Sequence, residues 1–221
     1  MEALRPLRAV RTWDVALPDR EQDRKVEEAM LLTAGELGYA KATVREVSER
    51  AGIAQDRFHR RFGSKEACFA RAYEEAAASL AGEVSAACAA EADWRGGFRA
   101  GLAALLRFVA EQPLLARALL IEVRAARGEA WAHHQRLAER ATSALESARE
   151  QPGARPSSTP MTAGFVAGAI EESLSIEIAA GRAAEVERLL GDLTRLAFLQ
   201  LFGEEEAGDE TAPAELADRA P

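Results

Sequence analysis

The chain has 221 residues, of which 48% are hydrophobic and 29% are charged, so it can form one large domain or two small ones with a sizeable core. Its formal net charge of −8 argues against a nucleic-acid partner, but residues 1–70 carry 13 basic and 12 acidic side chains, and binding depends on the potential near the phosphates. No apolar run approaches the ~20 residues of a membrane span, the first residues lack a signal-peptide core, and two cysteines make no disulfide scaffold, so we expect a soluble, cytoplasmic protein.

The N-terminal residues 1–20 contain Pro6 and Pro18 and show no sustained hydrophobic period. We interpret them as a flexible arm, either a solvated tail or, alternatively, an arm that enters the minor groove of DNA. From Arg24 onward apolar residues recur at spacings of three and four, which predicts a first helix. Gly38 is placed to end that helix.

Residues 43–66 predict two short helices joined by a tight turn and followed by the start of a long helix. Thr43 and Glu46 form a Thr-x-x-Glu capping box, which begins the first short helix. Gly52 supplies the turn, because a side chain there would be strained. Phe58 is the inward-facing residue of the second short helix. This arrangement is the sequence form of a helix-turn-helix.

The remainder of the chain is rich in Ala and Leu and shows no strand-like alternation. It predicts helices at about residues 65–90, 95–111, 113–126, 129–148, 160–180 and 183–202. The fold class is therefore all-α, with an N-terminal three-helix domain and a larger C-terminal helical domain. The predicted organisation is an arm at 1–20, a helix-turn-helix domain at 21–66, a helical domain at 67–203, and an acidic disordered tail at 204–221.

The second short helix carries basic side chains in an otherwise acidic protein. In the major groove Gln and Arg can form bidentate contacts with adenine and guanine edges, which is the role expected for Gln55 and Arg57. His59, Arg60 and Lys65 suit phosphates, which position a protein without specifying sequence. The alternative is a solvated basic face on an ordinary helical hairpin.

Residues 24–69 resemble the DNA-binding region of the TetR family of transcriptional regulators. The shared motifs are Gly38-Tyr39, Thr43-Val44-Arg45, Ala51-Gly52, His59-Arg60-Arg61-Phe62 and Ser64-Lys65-Glu66. The resemblance implies a DNA-binding homodimer, with a small-molecule effector pocket and a dimer interface in the C-terminal helices. The residues expected to contact DNA are Thr43, Arg45, Ala54, Gln55, Arg57, His59, Arg60 and Lys65.

The chain departs from the family pattern on the recognition helix, which leaves its operator sequence open. The family usually has Tyr at the position of His59, often has Ser at Ala54, and has a small residue at Asp56. Asp56 would repel phosphate unless it pairs with Arg60 four residues on or accepts a hydrogen bond from cytosine. His59 suggests that DNA affinity rises below about pH 6.5, where histidine gains a charge.

Apolar stripes on the last two predicted helices indicate a two-fold four-helix interface. A dimer would place two recognition helices about 34 Å apart on a palindromic operator. The residues expected at the interface are Val166, Ile170, Leu174, Val186, Leu189, Leu190, Leu193 and Ala197.

Three polar residues share apolar helix faces in the C-terminal region: Glu122, His134 and Glu172. Each could be an ordinary hydrogen-bonded core residue, but together they suggest an effector cavity, and two acids favour a cationic or hydrogen-bond-donating effector. The predicted lining is Phe98, Leu102, Leu119, Glu122, Trp131, His134, Phe165 and Glu172. Effector binding is expected to favour a DNA-incompetent state.

Enzymes form a rival class, but the sequence lacks HExxH, paired CxxC, Walker and GxSxG motifs. His133 and His134 are adjacent, so they point about 100° apart on a helix and cannot share a metal. We therefore expect no catalytic residues, no metal and no cofactor. The remaining alternative is a dimeric helical module that binds partners or small molecules without specific DNA binding.

Overall fold

The computed structural model describes residues 19–156 and 158–204, and the described residues contain α-helices and no β-strand. This confirms the predicted all-α fold, with an N-terminal helix-turn-helix and a larger C-terminal helical domain. The α-helices are α1 (Asp19–Leu37), α2 (Val44–Ala51), α3 (Gln55–Phe62), α4 (Lys65–Ala89), α5 (Trp94–Glu111), α6 (Pro113–Arg117), α7 (Val123–Ala126), α8 (Gly128–Glu146), α9 (Pro160–Ala179) and α10 (Leu190–Leu201).

The first helix begins at Asp19, five residues earlier than the predicted start at Arg24. The predicted arm therefore lies outside the described residues except for its last two positions, which open α1. Of the predicted acidic tail, only Glu204 lies within the described residues. No helix in the described part of the chain is long and apolar enough to cross a membrane.

The predicted helix ends of the helix-turn-helix are confirmed. Thr43 Oγ1 accepts a hydrogen bond from the Glu46 amide at 3.3 Å, and the Glu46 carboxylate accepts one from the Thr43 amide at 2.9 Å. Gly52 ends α2 with a φ of 70°, which favours glycine. Ser64 Oγ accepts from the Ala67 amide at 3.1 Å and begins α4.

Aromatic and aliphatic side chains join α3 to the rest of the core. Phe58 is fully buried and its ring centroid lies 5.4 Å from that of Phe62. Val47 of α2 and Met30 of α1 are also fully buried. Because α3 is short, this apolar contact rather than helix propensity holds it in place.

In the C-terminal body, two predicted continuous helices are interrupted. The segment predicted at 113–126 contains a π-helical turn, Ala118–Glu122, between α6 and α7. The segment predicted at 183–202 begins with the 3₁₀ helix Ala183–Leu189 and continues as α10. The close packing of α5 on α4 depends on Gly101, where a Cβ atom would lie 2.4 Å from the Cys88 Sγ.

Candidate nucleic-acid interface and the C-terminal body

One face of α3 is exposed to solvent and the other is buried. The exposed residues are Gln55, Asp56, His59 and Arg60, and Ala54, Thr43 and Arg45 are also exposed nearby. Phe58 and Phe62 hold the opposite face against the core. The helix thus presents polar and basic side chains to solvent, as a recognition helix must.

Two arginines on the flanks of α3, Arg57 and Arg61, form hydrogen bonds to α1. Arg57 is half-buried and donates to Gln22 Oε1. Arg61 donates to both carboxylate oxygens of Asp23, at 2.8 Å from Nε and 2.6 Å from Nη2. The Arg57 guanidinium thus joins α3 to α1, and the expected contact of Arg57 with a guanine edge stays a prediction.

The half-buried Asp23 carboxylate is the acceptor on α1 for this contact. Hydrogen bonding to Arg61, and the charges of Arg61 and Arg71, hold the Asp23 pKa below its usual value. A lowered carboxyl pKa stabilises the fold above the pKa of the unfolded chain. That stabilisation is lost as the pH falls through the lower pKa of the folded state. The α1–α3 contact should therefore weaken only in strong acid.

Lys65 also makes contacts within the chain. Its ammonium donates to the carbonyl oxygens of Tyr39 at 3.0 Å and Ala42 at 3.2 Å, and lies 4.3 Å from the Tyr39 ring centroid. It holds the turn between α1 and α2 against the start of α4. The contact of Lys65 with a DNA phosphate stays a prediction. Two of the three ammonium N–H groups are already used, so one remains to donate to a phosphate.

The charges that remain on the exposed face are few. Arg60 makes no ion pair with any residue in the described ranges, and the hypothesised Asp56–Arg60 pair is not formed among them. Arg45 lies 3.9 Å from Glu49 in a pair that is 66% exposed on both sides, which contributes little. His59 Nδ1 lies 3.2 Å from the Gly63 carbonyl oxygen. Arg60 is thus available to a phosphate.

The eight residues predicted to line an effector pocket lie in different environments. Leu102, Leu119, Glu122 and His134 are buried, Phe98 and Trp131 are half-buried, and Phe165 and Glu172 are exposed. None of the eight lines either of two surface depressions, which have volumes of about 600 and 520 Å³. Their role as effector contacts stays a prediction.

The two carboxylates that suggested a cationic effector both have partners within the chain. The buried carboxylate of Glu122 accepts hydrogen bonds from the Tyr39 amide at 2.8 Å and from Arg117 Nε at 3.2 Å. Glu172 is exposed and lies 3.7 Å from Arg124. Both carboxylates therefore already have partners within the chain. A cationic effector stays a prediction.

His134 belongs to a buried polar network that the sequence did not predict in full. Its Nδ1 lies 2.9 Å from the Tyr73 hydroxyl, its Nε2 lies 3.2 Å from Glu171 Oε1, and its ring stacks on Trp131 at 4.9 Å. Hydrogen bonding to His134 and to Arg124 lowers the Glu171 pKa. The sequence pattern selected Glu172, which is exposed, whereas Glu171 one position earlier faces inward.

The predicted dimer stripe is mostly covered by the chain itself. Six of its eight residues are buried within one subunit, namely Val166, Ile170, Leu174, Val186, Leu193 and Ala197, and Leu189 and Leu190 are half-buried. These six residues are buried within the single chain, where α9 contacts both α8 and α10, and their place at a dimer interface stays a prediction. The residues of α9 that remain exposed lie on its other face.

An exposed polar α3, supported by buried phenylalanines and followed by a larger helical body, defines a helix-turn-helix, an arrangement that is typical of DNA-binding proteins. Residues 33–72 match the sequence model of a family described as bacterial regulatory proteins, tetR family. This match covers the end of α1, the helix-turn-helix and the start of α4, and it agrees with the sequence resemblance to this family of transcriptional regulators.

Solved structures share the fold at low sequence identity. The fatty acid degradation regulator FadR from Bacillus halodurans aligns with a TM-score of 0.72 and 14% identity, over 80% of this chain and 94% of that one. FadR from Bacillus subtilis, in complex with stearoyl-CoA, gives 0.70 and 14%, over 81% and 98%. SmeT, the repressor of the Stenotrophomonas maltophilia multidrug efflux pump SmeDEF, gives 0.68 and 16%, over 90% and 97%. A comparison with curated protein sequences finds no match.

Proposed function

We propose that this protein is a cytoplasmic, effector-responsive transcriptional repressor that binds a palindromic operator as a homodimer. The observation that carries the proposal is the exposed face of α3, where Gln55, His59 and Arg60 lie together while Phe58 anchors the opposite face. In the major groove Gln55 would contact a base edge and Arg60 a phosphate. Thr43 and Arg45 lie at the start of α2, where helix amide groups favour a further phosphate.

The exposed face of α9 supports a homodimer. Met161, Phe165 and Ile176 are 82%, 58% and 54% exposed, and they follow one another at spacings that keep them on one side of the helix. Gly168 lies between them, and a Cβ atom there would meet nothing within 4 Å. Glu172 lies on the same side of α9 and is paired with Arg124 at 3.7 Å. A mainly apolar stripe with a small residue at its centre suits a second copy of the same helix crossing closely. We therefore propose this stripe as the core of the dimer interface.

The response to an effector is supported by the proteins of similar fold. FadR from Bacillus subtilis was solved with stearoyl-CoA, and SmeT is described as a repressor. We propose that a small molecule binds the C-terminal body of this chain and shifts the dimer toward a state with poor operator spacing. It can do so only by its differential affinity for the two states.

Replacement of Arg60 tests the DNA interface directly. For Arg60→Ala we expect affinity for a mixed-sequence 30-base-pair duplex in 50 mM salt to fall roughly 3- to 10-fold, because one phosphate contact is lost. The slope of log affinity against log salt should become shallower by about 1. Fluorescence anisotropy of labelled duplex measures both quantities.

The matched control is Arg140→Ala, which removes an exposed arginine from α8 in the body. It should leave affinity and salt slope unchanged, since α8 is not part of the proposed interface. Equal behaviour of the two variants would show that binding follows overall charge and would remove α3 as the contact.

A further inference from the structure

A single buried carboxylate connects the C-terminal body to the helix-turn-helix. Glu122 is 8% exposed and lies at the end of the π-helical turn. One of its oxygens accepts a hydrogen bond from the backbone amide of Tyr39, which is 83 residues away in the turn between α1 and α2. The other accepts from Arg117 on the preceding helical turn.

The hydrogen bond from the Tyr39 amide to Glu122 stands where a bond within α1 is usual. At a glycine-terminated helix, the amide two residues after the last helical residue often bonds back to a carbonyl of the same helix. Here the Gly38 amide bonds to the Ala34 carbonyl, and the next amide, that of Tyr39, bonds to Glu122 instead. The end of α1 is therefore completed by the C-terminal body.

The peptide groups of Tyr39 are held from two sides. Lys65 at the start of α4 donates to the Tyr39 carbonyl, while Glu122 accepts from the Tyr39 amide. Gly38 has a φ of 87°, and a Cβ atom there would lie 3.6 Å from a Glu122 oxygen. The turn leads directly into α2 and α3, so its position fixes where these helices lie relative to the body.

Moving the turn between α1 and α2 would break the hydrogen bond from the Tyr39 amide to Glu122. A buried carboxylate is tolerated only when it is paired and hydrogen-bonded. A shift of the turn away from the π-helical segment would leave Glu122 with Arg117 alone and would leave the Tyr39 amide without its acceptor. The native position of the turn is thus strongly preferred over nearby ones.

We propose that Glu122 is a positioning residue: it fixes the helix-turn-helix against the dimeric body and so sets the distance between the two recognition helices. The inference rests on the proposed function as a dimeric DNA-binding regulator. It gives the buried acid a role other than the effector contact expected from the sequence.

Half-site spacing provides a readout that a loss of stability alone would not change. We would obtain a palindrome by selection from random duplex DNA, and then measure affinity for that palindrome, for versions with one base pair added or removed at the centre, and for a single half-site. Wild type should lose about tenfold or more on either spacing change, whereas Glu122→Ala should bind all three spacings within about threefold. Its half-site affinity should stay within about twofold of wild type, because the α3 face is unaltered.

Two further variants complete the test. Glu122→Gln keeps the side-chain shape and one acceptor oxygen, so it should show an intermediate spacing preference. It also provides a test if the Glu122→Ala variant does not fold. Glu171→Ala removes another ion-paired carboxylate that does not touch the helix-turn-helix, and it should keep the wild-type preference. If both Glu122 variants discriminate spacings as wild type does, the positioning role is overturned while the proposed function stands. If wild type selects no palindrome, both are overturned.

Discussion

Phe58→Ala should lower the free energy of unfolding by about 3–5 kcal/mol, the range for truncating a fully buried phenylalanine. Phe58 has no exposed surface and contacts Phe62 in the small core beneath α3. Short helices depend on such contacts, so α3 should lose its fixed position. DNA affinity should fall with it, even though the substitution removes no atom from the exposed face. Urea unfolding at constant protein concentration measures the stability.

The control for this prediction is Leu37→Ala, which truncates a residue that is 39% exposed at the end of α1. It should cost less than about 1 kcal/mol, since little buried area is lost. A Phe58→Ala protein as stable as the Leu37→Ala protein would mean that the burial of Phe58 does not hold α3 in place.

Phe165→Glu should convert the proposed dimer into monomers. Phe165 is 58% exposed in one subunit and lies on the α9 stripe with Met161 and Ile176. Burying an unpaired carboxylate in that stripe costs about 3 kcal/mol, which raises the dimer dissociation constant roughly 100-fold. Sedimentation velocity over a range of protein concentrations gives this constant. Binding to a palindrome should weaken accordingly, because one half-site is left unfilled.

A matched substitution separates the interface from a general charge effect. Ala78→Glu adds the same charge at an exposed position in the middle of α4 and should leave the dimer intact. A Phe165→Glu protein that remains dimeric would refute the proposed α9 stripe. The circular dichroism spectrum of the variant should match wild type, because the altered side chain is largely outside the core.

Local signals in the sequence were sufficient for the helix-turn-helix. The Thr43–Glu46 capping box, the left-handed Gly52 and the Ser64 cap each depend on neighbours within a few residues, and all are present in the structure. Phe58 was predicted to be buried because helical periodicity places it opposite the polar face. These residues specify local geometry, which a single sequence records directly.

Contacts between distant elements were beyond the sequence pattern. Arginine on a recognition helix often contacts bases, but the Arg57 guanidinium donates a hydrogen bond to Gln22 on α1. The stripe with Val166 and Leu193 is apolar as expected, and it is buried within a single chain. Helical periodicity indicates that a face is buried, but it does not show whether the same chain or a second chain buries it. Glu122 could not be assigned to Tyr39, since the pairing spans 83 residues and a π-helical turn.

Selection of bound sequences from random duplex DNA at moderate salt shows whether this protein is a sequence-specific DNA-binding dimer. A dimer that presents two copies of the α3 face should enrich a palindrome, with half-site centres separated by one helical turn or a multiple of it. Arg60→Ala should enrich the same palindrome more weakly, because a phosphate contact carries no sequence information. Failure to enrich any sequence, from a protein that light scattering shows to be an intact dimer, would contradict the proposed function and favour a helical interaction module.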